Sequence, residues 1–425
     1  MLDIKFIREH PEIVKKDLQK RNDKEKIEWI DDLLAKDIEY RKLLQENQKL
    51  RQRRNEITEE INVLKKKGED FKDKIQEAKE LPDRIKKSDE KLEELRNKIE
   101  FYLMRIPNIL HESVPVGKDE NDNAVVKEWG KKPKFDFELK PHGELLQSLG
   151  LADFEKASEV SGHGFYYLMG DMARLELALV HFAIETLTEK GYKLINPPLM
   201  LRRKPYEGVT DLKDFETMMY KVEDEDLMLI ATSEHPIAAL LMNETYDEKQ
   251  LPLKLVGFSP CFRKELGSHS IDTRGIFRVH HFYKVEQFIF CKPEDSLKYH
   301  EELLQNGEEI FQKLDISYRV VSVCTGDIGI VAAKKYDIEA WFPRENLYRE
   351  VISCSNCTAY QATRLNIKYI KGQEKEYLHT LNSTAVATTR ALRAIIENYQ
   401  QKDGSIKIPK VLQKYMGKKI IGKKE

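Results

Sequence analysis

The sequence predicts an α+β protein in two parts: an N-terminal antiparallel α-helical coiled-coil arm, and a larger domain built on an antiparallel β-sheet flanked by helices. Three observations carry this. Residues 1–105 hold 28 Lys/Arg and 26 Asp/Glu but a single glycine, Gly68. Apolar residues in that stretch recur every seven positions. Farther on, aromatic and β-branched runs follow one another without a helix after each, which disfavours a doubly wound parallel sheet. The expected boundaries are 1–106 for the helical domain, 107–133 for a linker or lead-in, and 134–425 for the sheet domain.

A short helix near residues 3–20 is expected to pack on the hairpin base or the body. Leu43, Leu50, Ile57 and Leu64 then form one heptad stripe. Phe71, Ala78, Ile85, Leu92, Ile99 and Ile106 form a second, with Leu81, Leu95 and Tyr102 beside it. Two stripes around Gly68 predict a helical hairpin that turns near 67–69. A helix from about Ile27 to Lys67 is roughly 60 Å long, so the hairpin should project into solvent. Pro82 predicts a kink or offset there, not a break. Arg41-Lys42, Arg51, Arg53-Arg54 and Lys65-Lys66-Lys67 are candidate phosphate contacts. The same pattern suits a solvated face or an oligomerisation coiled coil. Residues 107–133 mix Pro, Gly, Asp and Asn without periodicity. Asp171–Lys190 and Ser296–Leu314 read as helices; LKLVGFSPCF, RVHHFYKVEQFIFC and YRVVSVC read as strands.

Among 425 residues, Lys plus Arg total 72 and Asp plus Glu 73, a net charge of −1. That excludes indiscriminate binding of nucleic acid by bulk charge, but not recognition by a few placed cations. The 40% hydrophobic and 9% aromatic content excludes a fully disordered chain. No apolar run reaches eighteen residues, MLDIKFIREH is too charged for a signal peptide, and five cysteines make no disulfide framework. A reduced, cytoplasmic protein is expected. P-loop, G-x-G-x-x-G and HExxH patterns are absent. Cys354-Ser-Asn-Cys357 lacks a second pair, so no structural zinc is expected. His280 and His281, if both lie in a strand, face opposite sides.

The remaining chemistry clusters in three segments. FRKELGSHSIDTRGIFRVHHFYKVE carries Arg263, Glu265, Arg274, Arg278 and Glu286 around Phe282. It could grip a phosphate and stack a base, or be a surface hairpin laced by salt bridges. REVISCSN supplies Glu350 and Ser353, oxygen donors suited to Mg²⁺ carried by a nucleotide. HTLNSTAVATTRALRAIIENYQ sets Asn382 and Thr384 before a helix with Arg390 near its start, placed to reach a terminal phosphate or simply to pair.

Along essentially its whole length the chain resembles the seryl-tRNA synthetase family of class II aminoacyl-tRNA synthetases. The charged hairpin is similar to the family's tRNA-binding arm. ELALVHFAIETLTEKGYKLINPPLM resembles motif 1, which forms much of the dimer interface. FRKE…GIFRVHHFYKVE resembles motif 2 and HTLNSTAVATTRALRAIIENYQ motif 3. ATSEHP is similar to the serine-binding T-x-E element, and REVISCSNCTAYQATR to the ATP-side strand and loop. The wording is closest to the archaeal or eukaryotic branch of the common type, not the rarer zinc-dependent type.

The resemblance implies a homodimer that ligates L-serine to tRNA(Ser) through seryl-adenylate, with ATP and Mg²⁺; tRNA(Sec) is left open as a second acceptor. It implies that Arg263 bridges the serine carboxylate and α-phosphate, while Arg278 and Arg390 hold the β/γ end. Phe282 would stack on adenine, with Glu265 and the Val279 backbone at its polar edge. Lys264, Val351 and Ile352 fall in the same ATP-binding segments. Glu350 and Ser353 would ligate the Mg²⁺. Thr232, Ser233 and Glu234, with Arg263, Glu286, Asn382 and Thr384, would form the serine pocket. Ser233 stands where Ala is usual, His281 where Gln is frequent, and Ala359 and Thr363 where Asp and Arg are expected. Two other readings are a paralogue that delivers an amino acid to a carrier protein, and a non-catalytic scaffold. The arm speaks against the first, and Arg263, Arg278 and Arg390 against the second.

Overall fold

The structure, a computed structural model, describes residues 1–211, 216–265 and 275–422. Arg274 therefore lies outside the described residues. The chain divides into two compact units, residues 2–107 and 108–425.

The first unit opens with α1 (Ile4–Glu9) and α2 (Pro11–Lys20), separated at His10, where Pro11 begins the second helix. The hairpin is α3 (Lys24–Lys67) and α4 (Lys72–Leu103). Asp23 caps α3 by accepting from the Lys26 N–H, and Gly68 ends it at φ 71°, a left-handed conformation that suits glycine. Pro82 lies inside a continuous α4. Every residue of both heptad stripes is at least half-buried, as the seven-residue spacing predicts.

The seam is also polar, which the apolar stripes did not announce. Buried Asn47 donates to Asp89 Oδ1 at 3.0 Å and accepts from Arg51 Nε at 2.7 Å. Arg51 Nη2 in turn reaches both Asp89 oxygens at 2.8 and 2.7 Å. Arg53 bonds Glu77 at 2.9 Å and Glu60 at 2.8 Å, and Lys91 pairs with Glu39 at 2.6 Å. A buried amide matched to one partner penalises register slip. Arg41 pairs with Asp37 at 3.0 Å, one turn back on the same helix. Arg41, Arg51 and Arg53, expected as phosphate contacts, are thus engaged within the arm. Lys65, Lys66 and Lys67 remain exposed in the last turn of α3, where cations complement the helix dipole.

The second unit is built on an eight-stranded sheet. Its strands are β1 (Ala124–Trp129), β2 (Lys193–Ile195), β3 (Leu253–Phe262), β4 (His281–Cys291), β5 (Tyr318–Ser322), β6 (Lys334–Phe342), β7 (Leu347–Asn356) and β8 (His379–Ala387). Their order is β1-β5-β6-β7-β8-β4-β3-β2. All neighbours are antiparallel except β2 against β3. The lead-in at 107–133 therefore supplies an edge strand. The strand read from Arg278 begins at His281, because His280 instead bonds Gly164 O through its N–H and accepts from the Arg263 N–H. His280 and His281 then stack on Phe165 and Tyr166, with centroids 4.9 and 5.1 Å apart.

Helices α5 (Gly170–Thr188), α7 (Ser296–Lys313) and α9 (Thr388–Tyr399) share one apolar core with β4; the short α6 (Glu234–Ala239) and α8 (Tyr360–Leu365) belong to a second cluster. Met172, Leu175, Leu179 and Leu187 of α5 belong to the same core as Val285 and Ile289, which is why its 3.6-residue periodicity was legible. Helix α9 is anchored by buried Arg393, which bonds Glu397 at 2.8 Å and also reaches Glu345. Arg393→Met leaves buried Glu397 without its hydrogen-bonded cation, while Glu345 keeps Arg349 at 2.7 Å. We expect a stability loss of about 3–5 kcal/mol, read as a lower denaturant midpoint at unchanged slope. A midpoint equal to wild type would show that Glu397 has other compensation.

Candidate active site

A cavity of about 370 Å³ opens on the sheet where β4, β7 and β8 meet the loop before α6. Alternation on β4 sends Phe282, Lys284 and Glu286 to the same face. Thr384 lies opposite Glu286 on β8, and Asn382 shares its face two residues away. On β7, Ile352 pairs with Ile338 and Glu350 with Glu339, so Val351 is an extra, bulged residue. Three positions apart on a regular strand, Glu350 and Ser353 would point to opposite faces; the bulge turns both into the cavity.

One end of the cavity is acidic. Glu234 Oε1 accepts from Gln361 Nε2 at 2.9 Å and from Asn382 Nδ2 at 3.0 Å. Gln361 is held by Val209 O at 3.0 Å and by the Thr380 hydroxyl at 2.7 Å. Burial, and then the charge of Glu286, pushes the Glu234 carboxyl up to about 7, against the pull of Lys284, Gln361 and Arg263. His235 is pushed down to about 3 by burial, then by Lys284 and Arg263, and is therefore neutral. Gly257 sits opposite Glu286, and a Cβ there would come within 2.5 Å of Ile237 Cδ1 and 2.9 Å of Ser233 Oγ. That close approach lets the loop with Thr232 and Glu234 lie against the sheet.

The other end is cationic. The Arg263 guanidinium lies 5.4 Å from the Phe282 centroid and donates to Ala231 O at 3.3 Å. Arg390 pairs with Glu350 at 3.1 Å. Glu350 is open to the cavity yet ringed by protein. Burial acts to raise its carboxyl, but Arg390, then Lys335 and Arg263, hold it below the usual value. Lys335 pairs with Asp337 at 3.2 Å, one turn of the pleat away on β6.

Of the residues singled out in the sequence, Thr232, Glu234, Arg263, Phe282, Glu286, Glu350, Val351, Ser353, Asn382, Thr384 and Arg390 line this one cavity. Six do not. Ser233 and Val279 are buried in the packing, and Ile352 alternates into the core. Lys264 lies over the Tyr220 ring at 5.6 Å. Arg278 is exposed, and Glu265 stands just before the segment that is not described. Lys284 and Lys335 line the cavity but were missed. Lys284 was findable: it sits two residues from both Phe282 and Glu286, so strand alternation places it between them. At the departures from the family pattern, Arg364 anchors the loop by donating to Glu207 O at 3.1 Å and Thr210 O at 2.7 Å. Ala359 precedes α8, and Thr363 is buried within it.

Residues 220–399 match the tRNA synthetase class II core domain (G, H, P, S and T), and residues 1–110 the seryl-tRNA synthetase N-terminal domain. Fold and cavity thus define a class II aminoacyl-tRNA synthetase. A serine–tRNA ligase of Methanocella arvoryzae is 58% identical over 98% of this chain and 99% of its own. One of Methanospirillum hungatei is 60% identical over 99% of each. The crystal structure of seryl-tRNA synthetase from Pyrococcus horikoshii complexed with ATP superposes with a TM-score of 0.92 at 51% identity, covering 100% of both chains. That of cytoplasmic serine–tRNA ligase from Naegleria fowleri in complex with AMP gives 0.86 at 35%, covering 100% of this chain and 99% of that one. The chain belongs to the seryl-tRNA synthetase family.

Proposed function

We propose that this chain joins L-serine to tRNA(Ser) at the expense of ATP, through a seryl-adenylate. The observation that carries the reading is a single cavity with carboxylates and amides at one end and guanidinium groups around an aromatic ring at the other. Serine's ammonium is placed against Glu234 and Thr232, its carboxylate toward Arg263, and its hydroxyl toward Glu286. Adenine stacks on Phe282. The serine carboxylate oxygen attacks the α-phosphorus, the bond to the β-phosphate oxygen breaks, and pyrophosphate leaves. Arg263 offsets charge on the reacting oxygens, and Arg390 holds the departing phosphates, with Arg278 at the outer end. The terminal ribose hydroxyl of tRNA then takes the seryl group and AMP leaves.

Glu350 and Ser353 fit a Mg²⁺ that arrives with ATP: both present hard oxygen donors to the cavity, and Glu350 is held ionised. Two protein donors suit an ion that keeps phosphate and water ligands. When bound, it neutralises phosphate charge. A buried acceptor for the hydroxyl rejects alanine, because its polar partner would be left unmatched. Leu177 on α5 and Leu194 on β2, large apolar side chains left exposed in the single chain, support a homodimer. Among the described residues no helix is long and apolar enough to cross a membrane.

ATP–pyrophosphate exchange with each of the twenty amino acids, followed by charging of total tRNA and of a tRNA(Sec) transcript, tests this. Serine-dependent exchange and serine acceptance are expected. Exchange with a different amino acid only would overturn the specificity, and exchange without charging would favour delivery to another acceptor. No exchange at all would favour a scaffold.

The raised Glu234 carboxyl adds a pH dependence. Serine's ammonium needs this group ionised, so kcat/KM for serine should rise with pH through about 7. Serine binding should release a proton near neutrality, seen calorimetrically as a buffer-dependent heat. A buffer-independent heat at pH 6.5 would mean that Glu234 is already ionised in the free enzyme.

A further inference from the structure

The acidic end of the cavity holds two carboxylates with different tasks, and a cation that the functional reading above does not use. Lys284 Nζ lies 2.8 Å from Glu286 Oε2, and both side chains are buried, 8% and 2% exposed. The contact is an ion pair and not an aligned hydrogen bond: among the described residues that oxygen has no hydrogen-bond donor, so Lys284 answers its charge alone. Lys284 faces Ser259 on β3 and Ala387 on β8, small neighbours that leave its stem room to run along the cavity wall toward Glu286. Once Glu234 gives up its proton to receive the ammonium, the charges balance: Glu234 and Glu286 against Lys284 and Arg263. Zwitterionic serine adds no net charge. If Glu286 lacked its cation, it would compete with Glu234 for the incoming ammonium wherever it stayed ionised, and the amino acid could enter in two registers.

We propose that Lys284 is a positioning residue for amino-acid selection: it neutralises Glu286, so that this carboxylate reads the serine hydroxyl while Glu234 alone takes the ammonium. The inference rests on the serine-pocket reading above. The groups that face Glu286 are Lys284 on its own strand, Glu234 from α6, Cys261 from β3 and Cys354 from β7. Burial raises both thiols, so they stay protonated across neutral pH. Removing Lys284 leaves a buried carboxylate without its counter-charge, which favours the protonated form. A protonated acid is a weaker acceptor for a hydroxyl than a carboxylate.

The test is ATP–pyrophosphate exchange by the full chain with serine and with alanine, from pH 6.5 to 8.5. For Lys284→Met we expect kcat/KM for serine to fall about 10-fold at pH 8, with KM for ATP within about threefold of wild type. The serine-to-alanine preference should shrink about 10-fold, and the deficit against wild type should widen as pH falls. Lys284→Arg should restore both the preference and the pH profile. The double variant K284M/E286Q, which removes both charges together, should match E286Q alone within about threefold. If K284M does not fold, a folded double variant with the activity of E286Q carries the same conclusion. Loss of activity that is equal for serine and alanine and flat with pH would reduce Lys284 to a structural residue. A K284M enzyme with wild-type preference would overturn the proposal. Wild-type enzyme that ignores serine would instead overturn the functional reading on which it rests.

Discussion

Arg263→Ala is expected to lower serine-dependent ATP–pyrophosphate exchange by about 10³-fold or more, with little change in folding. The side chain leaves the end of β3, arches over the Phe282 ring at 5.4 Å, and is steadied by Ala231 O at 3.3 Å. On the proposed mechanism it serves two anionic groups at once from there, the amino-acid carboxylate and the α-phosphate. A fixed donor aimed at developing charge in a water-poor site is worth about 3–4 kcal/mol, or two to three powers of ten. Arg263 also restrains Glu234 and Glu350, so its loss disturbs both ends of the cavity. Arg263→Lys should recover little, because a single ammonium cannot reproduce a two-pronged contact. Exchange within about tenfold of wild type in the alanine variant would place the reacting phosphate elsewhere in the cavity.

Shortening the arm should separate the two half-reactions. Asn47 and Asp89 face each other across the hairpin at 3.0 Å, so residues 48–88 can be replaced by a short glycine turn without disturbing the pairing below. Lower pairs such as Tyr102 with Asp32 are kept. The catalytic unit is a separate compact body, so exchange with serine should stay within about threefold of wild type. Charging of tRNA(Ser) should fall about 100-fold or more, because the proposed phosphate contacts of the arm would be lost. Undiminished charging would reduce the arm to a structural element. A milder version, reversing Lys65, Lys66 and Lys67 to Glu, should weaken charging most at low salt, since these exposed cations act through a screened field.

Much of the architecture was legible because it follows from periodicity. The seven-residue spacing of Leu43 to Leu64 and of Phe71 to Ile106 can be satisfied only by paired helices, and Gly68 is the one residue between them suited to a left-handed turn. Strand β3 was bounded at both ends by its own apolar and β-branched run. The motif segments placed eleven residues of one cavity, although they lie up to 158 positions apart between Thr232 and Arg390. Their side chains were readable by type: carboxylates, amides and arginines in these segments have few other uses together.

Other properties depend on contacts between distant residues. The arginines of the arm read as available cations, yet Arg41, Arg51 and Arg53 are paired inside it: Arg41 with Asp37 one turn back on α3, and Arg51 and Arg53 with Asp89 and Glu77, which come alongside only when the two helices fold together. The joint presence of Glu350 and Ser353 in the cavity depends on the extra residue at Val351, which shows only when β7 is laid against β6. The raised carboxyl of Glu234 at the start of α6 needs burial and the approach of Glu286 from β4. The sequence by itself determined the two-part plan, the hairpin and the chemical character of the site, since those follow from local periodicity and residue type. Only the tertiary structure decided which charges are spent on pairing and which face the cavity, because charge–charge energies depend on distance and burial, and neither is a property of the chain until it has folded.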